Sequence, residues 1–463
     1  MFCIRRYSLV ALVTSFVSVW GMEAGAQVLQ PPPRPTRGLF GGGPPPDSTR
    51  TRQELTFLGN LLGGYDDNLS GPVTGSTEFT SHPSGYIGFA DAGARYFVGR
   101  DVRSFEVVGR GYMNTYRNIG LGPSYGAEGT MRGQTSVRRK SQFAVSESVR
   151  YSPFFSLGVF GALTGAPDLT TPDSNPTNAV TESRSVASDT SASLTSQWTR
   201  RTRTDANFVF QKQTYTQGTG FDTRGWATSL GAQRSFGAAT SLRTSYRHSD
   251  AEFAELNGSV RPLKDDTVDL GFGYQRRLSR TRQISFSGGG GTVYVQTTQF
   301  TSSLPFNYWT PTGYGTARVD VSRSWSVWGD YRRSVSVLQG ATPVPFLAHV
   351  GLVSAGGYVG RLVETVFSGG YSNGQTGQSP DGSAIGQYDS YTGTAQARFR
   401  LGRLWSSVVS FNHSQYFLNT VASGALRVSP EMHRNAVRVG FVFTLPLVGT
   451  YLSNPGPPNV GGN

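Results

Sequence analysis

From residue 86 to residue 445, apolar and polar side chains alternate along the chain with a period of two almost everywhere. In Tyr86–Tyr96, alternate positions hold Tyr, Gly and Ala, while Asp91 and Arg95 occupy positions between them. Asn435–Leu445 repeats the pattern, with Val, Phe and Leu on one set of positions and Arg438 on the other. Successive side chains of a β-strand point to opposite faces, so this period is typical of strands with one apolar face. It predicts an all-β fold.

The segments between these strands are alternately short and long, without exception. The short connections are basic, and the long ones are polar and rich in Gly and Pro. Short connections fall at residues 99–103, 137–141, 199–202, 234–240, 277–282, 322–324, 360–362 and 402–403. Long connections fall at residues 66–84, 117–124, 152–185, 215–223, 249–265, 297–313, 335–345, 372–387 and 418–434.

This succession separates two architectures that share the same periodicity. A soluble sandwich also alternates apolar and polar positions, but it has no reason to alternate short and long connections. A barrel of the bacterial outer membrane does, because its periplasmic turns are tight and its external loops are longer. The sequence therefore predicts a closed antiparallel transmembrane β-barrel in the outer membrane. After residue 26 no apolar run approaches the roughly 18 residues of a transmembrane helix.

The number of connections sets the number of strands. Nine long and eight short connections join eighteen strands and leave both termini on the short-turn side, which would be the periplasm. An even number is usual for bacterial single-chain barrels. Sixteen strands remain an alternative, because the stretch Phe154–Ala162 could hide or remove a hairpin.

The first 26 residues have the shape of a secretory signal peptide. Arg5 and Arg6 precede the apolar stretch Ser8–Trp20, and an Ala-Gly-Ala sequence ends at Ala26. A basic start, a short apolar middle and small residues at the exit are typical of a cleaved signal. We predict cleavage after Ala26; a retained interfacial helix is the alternative.

The remaining chain divides into three parts. Residues 27–52 are rich in Pro and Gly and predict an extended linker, which would lie in the periplasm and could bind a periplasmic partner. Residues 53–445 form the predicted barrel, and residues 446–463 a disordered tail. Cys3 is the only cysteine and would leave with the signal peptide. The mature chain would therefore have no disulfide and no cysteine nucleophile.

Catalytic and metal-binding patterns are weak. None of the five histidines stands at metal-ligand spacing to another His or Cys. His248 and Asp250 share a strand face, but no Ser completes a hydrolytic site. We therefore expect no enzyme activity, no metal and no cofactor. Nucleic-acid binding is not expected of an exported chain that lacks a nucleic-acid fold signature.

The run Gly288–Gly291 lies inside a strand and lacks the Lys of a phosphate loop. The apolar positions change phase across it, from Ile284 and Phe286 to Val293 and Val295. We predict a bulge or bend at these glycines. A surface that lets cargo approach closely is the functional alternative.

The predicted lumen face carries many charged side chains. Eleven arginines fall on it: Arg95, Arg110, Arg132, Arg150, Arg203, Arg243, Arg247, Arg318, Arg332, Arg398 and Arg438. Nine carboxylates share that face, among them Asp91, Glu106 and Glu128. Two interpretations stay open. Arginine–carboxylate ladders between neighbouring strands would satisfy these charges mutually, or unpaired arginines would form a path that favours anions. The net charge of +13 favours the anion path, although much of the positive excess lies in the short turns.

A short motif follows the first predicted strand: Tyr65, Asp66, Asp67 and Asn68. It resembles the early Tyr-Asp-Asp-Asn stretch of outer-membrane porins of the "β-barrel porin 2" type. Asp and Asn suit a polar turn at a strand end; contact with a cation or a glycan is the other interpretation. One departure is the 18-residue segment after Leu445, because such barrels usually end on an aromatic residue.

The resemblance implies an outer-membrane channel. Such porins are often associated with surface-polysaccharide loci. We therefore expect passage or export of a surface glycan, or of small polar or anionic solutes, through a barrel surrounded by outer-membrane lipid. The alternative is a plugged structural or adhesive barrel that acts through its long external loops.

Overall fold

The computed structural model describes most of residues 51–452. Its gaps are residues 69–83, 101–102, 118–122, 139, 157–177, 217–221, 255–259, 280, 299–304, 323, 338–344, 377–386, 403 and 419–430. The predicted signal peptide, residues 27–50 of the predicted linker, His82 and residues 453–463 lie outside the described residues. None of the described residues belongs to a helix long and apolar enough to cross a membrane.

The described chain consists of eighteen β-strands, numbered here in chain order. They are β1 Thr51–Asp66, β2 Gly85–Arg100, β3 Arg103–Tyr116, β4 Ser124–Arg138, β5 Ser141–Ser156, β6 Asn178–Gln197, β7 Thr202–Tyr215, β8 Asp222–Ser235, β9 Thr240–Ala254, β10 Val260–Arg277, β11 Gln283–Thr298, β12 Pro305–Asp320, β13 Ser326–Val337, β14 Pro345–Val359, β15 Val363–Thr376, β16 Gln387–Arg400, β17 Trp405–Leu418 and β18 Glu431–Leu452.

Every strand pairs antiparallel with its neighbours in the chain, and the first strand also pairs with the last. The β1–β18 ladder runs from Thr51 opposite Leu452 to Asp66 opposite Ala436, so the sheet closes on itself. Closure leaves no free sheet edge at the ends of the chain. The prediction of a closed antiparallel barrel is confirmed, with eighteen strands rather than sixteen.

The barrel has a short-turn end and a long-loop end, named here by their connections. At the short-turn end, each of several turns is closed by the hydroxyl of one of its own Ser or Thr residues. The Oγ1 of Thr199 accepts hydrogen bonds from two following backbone amides at 3.0 and 3.1 Å. Ser279 and Ser322 do the same in their turns. Gly360, with a φ of 66°, supplies the left-handed conformation that its turn requires.

The two faces of the wall differ as the alternation predicts. On β1, Leu61 points outward and is 63% exposed, whereas Asn60 points inward and is 2% exposed. Aromatic pairs lie on the outer face near the long-loop end, including Tyr65 with Tyr86 at 5.6 Å between ring centroids. An apolar outer band with aromatic residues near its edge matches a barrel surrounded by lipid.

The inner wall is not uniform around the barrel. On β17, β18, β1 and β2, most inward side chains are buried, including Val408 and Val442 at 0% and 1% exposure. On β4–β10, most inward side chains are partly exposed, and Arg132 and Arg150 are exposed. Space that a solute can reach therefore adjoins the β4–β10 side of the wall.

The last strand continues past the predicted boundary at residue 445. β18 runs to Leu452 and stays paired with β1. Pro446 has no N–H for the ladder, and the register shifts next to it, between Leu55 and Thr56. A bulge of this kind lets a strand pass a proline without losing its partner.

The predicted bulge at Gly288–Gly291 is wrong. The registers of β11 with β10 and with β12 run without a shift through all four glycines. The change of phase has another cause. Val293 and Val295 point inward and are buried in a cluster with Phe253 and Leu263, while Phe286 points outward and is 48% exposed.

Candidate functional site

All eleven predicted arginines lie on the inner face, as do Asp91, Glu106 and Glu128. The ladders fix this assignment, because residues directly opposite each other share a face. Arg110 stands opposite Glu128, and Arg398 opposite Glu364. The regular registers carry the alternation from strand to strand, so residues two apart on a strand keep the same face.

The central feature of the inner wall is a buried polar chain across β1–β4. Asn60 donates to Asp91 at 2.8 and 3.0 Å, and Arg110 donates to the same carboxylate at 2.8 Å. Arg110 also pairs with Glu128 at 3.5 Å. Arg110 is only 5% exposed, so it is enclosed between its two acids. A paired and enclosed guanidinium holds neighbouring strands together and offers little free charge to a solute.

Other inward charges are paired in the same way. Arg95 pairs with Glu106. Arg243 lies 3.4 Å from Asp205. These pairs support the ladder interpretation for part of the wall.

Further inward arginines have hydroxyl or carboxylate neighbours. Arg203 donates to Thr195 at 3.3 Å, Arg398 donates to Ser406 at 2.8 Å and Arg318 pairs with Asp320 at 3.0 Å. Arg332 and Arg438 also point inward.

Three inward arginines are different. Arg132, Arg150 and Arg247 form no ion pair with any residue that the structure describes. Arg132 faces Glu106 across the ladder, but Glu106 is already paired with Arg95. These arginines lie on the accessible side of the wall, where a free guanidinium can bind a carboxylate or a phosphate.

Asp189, on β6, balances part of this charge. It points inward beside Arg150 and attracts it, and it accepts a hydrogen bond from Ser148 at 3.5 Å. The wall of β4–β9 therefore holds charges of both signs.

The motif Tyr65–Asn68 lies at the seam where β1 meets β18. Asp66 is fully buried and accepts from Arg434 at 2.6 Å. Asp67 accepts two hydrogen bonds from Asn435, at 2.6 Å from the backbone N–H and 2.7 Å from Nδ2. Asn68 donates to the backbone oxygen of residue 433 at 2.6 Å. We call Asp66, Asp67, Asn68, Arg434 and Asn435 the closure latch.

The motif lies at the end of β1, and its polar groups bind the last strand of the same barrel. Periodicity alone did not reveal these partners, because they are more than 360 residues away in the chain.

One inward aromatic residue was missed by the sequence reasoning. Tyr314 lies across Gly271 and Gly289, and a Cβ on Gly289 would stand 2.8 Å from its ring. Because Tyr314 faces Gly289 on the neighbouring strand, the glycine run gives this ring room to lie against the wall. The run of small residues was the available signal.

The outer face also carries ionisable side chains. His248, His349, His413 and His433 lie on it near the long-loop end, and each meets a polar neighbour there. Among the described residues, no three His, Cys, Asp or Glu side chains are arranged to hold a metal ion.

One carboxylate occupies an unusual outward position. Glu147 stands opposite Met131 on β4 and Thr190 on β6, midway along the apolar outer face. It accepts from Ser188 at 2.9 Å and from Thr190. These two hydroxyls satisfy a group that would otherwise face lipid alone.

Comparison with known proteins gives fold similarity only. No protein family model matches the chain, and no curated protein does. OccK9 (OpdG) of Pseudomonas aeruginosa is 10% identical, with a TM-score of 0.46 and coverage of 85% of this chain and 98% of that chain. OccK2 (OpdF) of the same organism, solved in complex with glucuronate, is 9% identical with a TM-score of 0.42, over 86% and 98%. A BenF-like porin from Pseudomonas fluorescens is 9% identical with a TM-score of 0.44, over 86% and 99%.

Proposed function

We propose that the protein is an outer-membrane channel for small polar solutes, with a preference for anions that carry a carboxylate. The observation that carries the proposal is the set of arginines Arg132, Arg150 and Arg247 on the accessible side of the inner wall. The outward apolar band supports the membrane location, because lipid is the solvent that such a face requires. The predicted signal peptide supports export.

The electrostatics favour passage over tight binding. A guanidinium in a partly wet lumen lowers the energy of an anion, but acids close by weaken the attraction. Asp189 stands near Arg150, and Asp205 near Arg243. A mixed wall of this kind attracts an anion to the lumen and then lets it leave, which conduction requires.

A plugged structural barrel is the second candidate, and the buried inner wall of β17, β18, β1 and β2 favours it. Val408, Val442 and Ala436 are 0%, 1% and 3% exposed although they point inward. In that case the long loops would be the working surface. Export of a surface glycan stays a proposal that rests on the family resemblance.

Single-channel recording separates these functions. The full chain, purified from outer membranes, is inserted into planar bilayers and the current is measured with and without glucuronate. A channel gives discrete current steps, and glucuronate reduces the chloride current because it competes for the same arginines. Absence of current steps contradicts the channel and favours the plugged barrel. Heat-modifiable migration of the recovered protein on a gel verifies that the barrel was folded.

The size of the cargo can be tested in the same recordings. Acidic oligosaccharides of increasing length replace glucuronate as the blocking solute. Block by the monomer alone supports a channel for small carboxylates, whereas block that strengthens with length supports passage of an acidic glycan.

A further inference from the structure

The ladder between β12 and β13 stops before either strand ends. Paired positions run from Gly313 opposite Arg333 to Asp320 opposite Ser326. β13 nevertheless continues to Val337, still paired with β14, and β12 starts at Pro305, still paired with β11. Ser334–Val337 do not pair with the residues of β12 that would face them. The wall is therefore split on the long-loop side of the Gly313–Arg333 pair.

The sequence gives a reason for the split. Pro311 is two residues beyond the last pair, and proline cannot donate to a ladder. Val335 keeps its pairing with Leu347 on β14. It packs against the inward cluster Phe253, Leu263, Val293 and Val295, although β12 stands between β11 and β13 in the sheet. The end of β13 thus leans over the inner wall.

The two sides of the split have different chemistry. On the lumen side, Val335 and the buried cluster form an apolar surface with Tyr308 packed against it. On the outer side, Trp309 is 67% exposed and its ring centroid lies 4.8 Å from that of Tyr294. Apolar side chains therefore stand on both faces of the wall at this point.

A cation marks the base of the split. Arg333 points outward, its Nε is enclosed, and that nitrogen has no hydrogen-bond acceptor among the residues that the structure describes. His349 stands directly opposite on β14, with its Nδ1 2.9 Å from the hydroxyl of Tyr331. A buried N–H donor without an acceptor is costly, and an anion bound at Arg333 would supply one.

We propose that the β12–β13 split is a lateral portal for an amphiphile with one alkyl chain and an anionic head group. Arg333 binds the head group, with His349 beside it, and the alkyl chain passes between Trp309 and Val335 to the apolar inner surface. Charge complementarity decides the class of ligand, because the base of the split carries a cation and its sides are apolar. The inference rests on the proposed function only in that the barrel spans a bilayer.

Photolabelling tests the portal. The full chain in lipid nanodiscs is irradiated with a dodecanoate that carries a diazirine near the end of its chain, and labelled residues are mapped by mass spectrometry. Thr310 and Thr312 point inward, so lipid outside an intact wall cannot reach them. We expect label on these two residues and on Val335. Label that is confined to outward residues all around the barrel overturns the proposal.

Variants test the role of the cation. Arg333→Gln reduces the labelling of Thr310 about tenfold, as loss of a charge-assisted contact implies, and Arg333→Lys retains most of it. Arg234→Gln, at an outward arginine near the short-turn end, leaves the labelling unchanged. The corresponding dodecanol probe labels Thr310 weakly in every variant. Equal labelling by acid and alcohol contradicts recognition of an anionic head.

A disulfide tests the opening itself, and the described strands contain no cysteine that would compete. Thr312→Cys with Ser334→Cys joins the positions that would face each other if the ladder continued. Ala317→Cys with Gly329→Cys, at a paired position, is the control. We expect the control pair to oxidise fast, and the first pair to oxidise slowly and then abolish inward labelling. Fast and complete oxidation of the first pair shows a closed wall and overturns the proposal. Current through the same preparation tests the channel separately.

Discussion

Arg434 donates to Asp66 at 2.6 Å across the seam that joins the last strand to the first, and both side chains are buried. Next to this pair, the Asp67 carboxylate accepts hydrogen bonds from the backbone N–H and the side-chain amide of Asn435. The Oδ1 of Asn435 lies 2.8 Å from Nδ1 of His413. The closure latch thus connects β1, β18 and β17 at the long-loop end. Closing a barrel brings together the two strands most distant in the chain, which costs loop entropy. Specific polar contacts at the seam offset part of that cost.

Removal of one half of the latch should destabilise the barrel. Asp66→Ala leaves Arg434 buried without its carboxylate, and breaking such a pair costs about 3–5 kcal/mol. Glu431→Ala is the matched control, because the Glu431–His433 pair is exposed and contributes at most about 1 kcal/mol. Unfolding in urea, monitored by heat-modifiable migration on a gel, gives the free energy of unfolding of both variants. Equal stability of Asp66→Ala and the parent chain would show that the latch does not hold the seam.

The outward carboxylate Glu147 should be replaceable with a gain in stability. A charged group on the lipid face is unfavourable, and Ser188 and Thr190 compensate only in part. We expect Glu147→Leu to raise the free energy of unfolding by about 1 kcal/mol. Glu128→Leu, on the inner wall, should lower it, because Arg110 loses one of its two acids. The same unfolding measurement in lipid vesicles tests both variants. A loss of stability in Glu147→Leu would show that the hydrogen bonds from Ser188 and Thr190 outweigh the cost of the charge on this face.

Substitution of the glycine that Tyr314 covers, Gly289, should lower stability, whereas substitution of Gly315 should not. A Cβ at Gly289 would lie 2.6 Å from the backbone oxygen of Leu270, and that backbone cannot move freely. We expect Gly289→Ala to cost about 1–3 kcal/mol. Gly315 has no atom within 4 Å of an added Cβ, so Gly315→Ala should change stability by less than about 0.5 kcal/mol. Similar effects of the two substitutions would rule out close packing at Gly289.

Local pattern was enough to predict the strands and their antiparallel order. The period of two and the order of short and long connections depend on neighbouring residues, and in an antiparallel barrel neighbours in the chain are neighbours in the sheet. In the structure Arg110 and Arg132 share one face of the wall. Their different surroundings were not predictable, because burial of Arg110 depends on Asn60 and Asp91, which lie on other strands.

Long-range geometry explains what the sequence did not predict. The partner of Asp66 lies at the other end of the chain, and the split beside Pro311 depends on how far β13 follows β12. The phase change after Gly291 was visible, but its cause was not. Inward valines pack on Phe253 and Leu263, and the strand needs no bulge to present them.

Ion selectivity tests the central claim most directly. The reversal potential of the full chain is measured in planar bilayers under a KCl gradient, together with Arg132→Glu/Arg150→Glu and with the outward control Arg234→Glu. We predict that the parent channel prefers chloride, that the double variant shifts toward potassium, and that the control does not move. An unchanged reversal potential in the double variant would contradict an anion path along the β4–β10 wall.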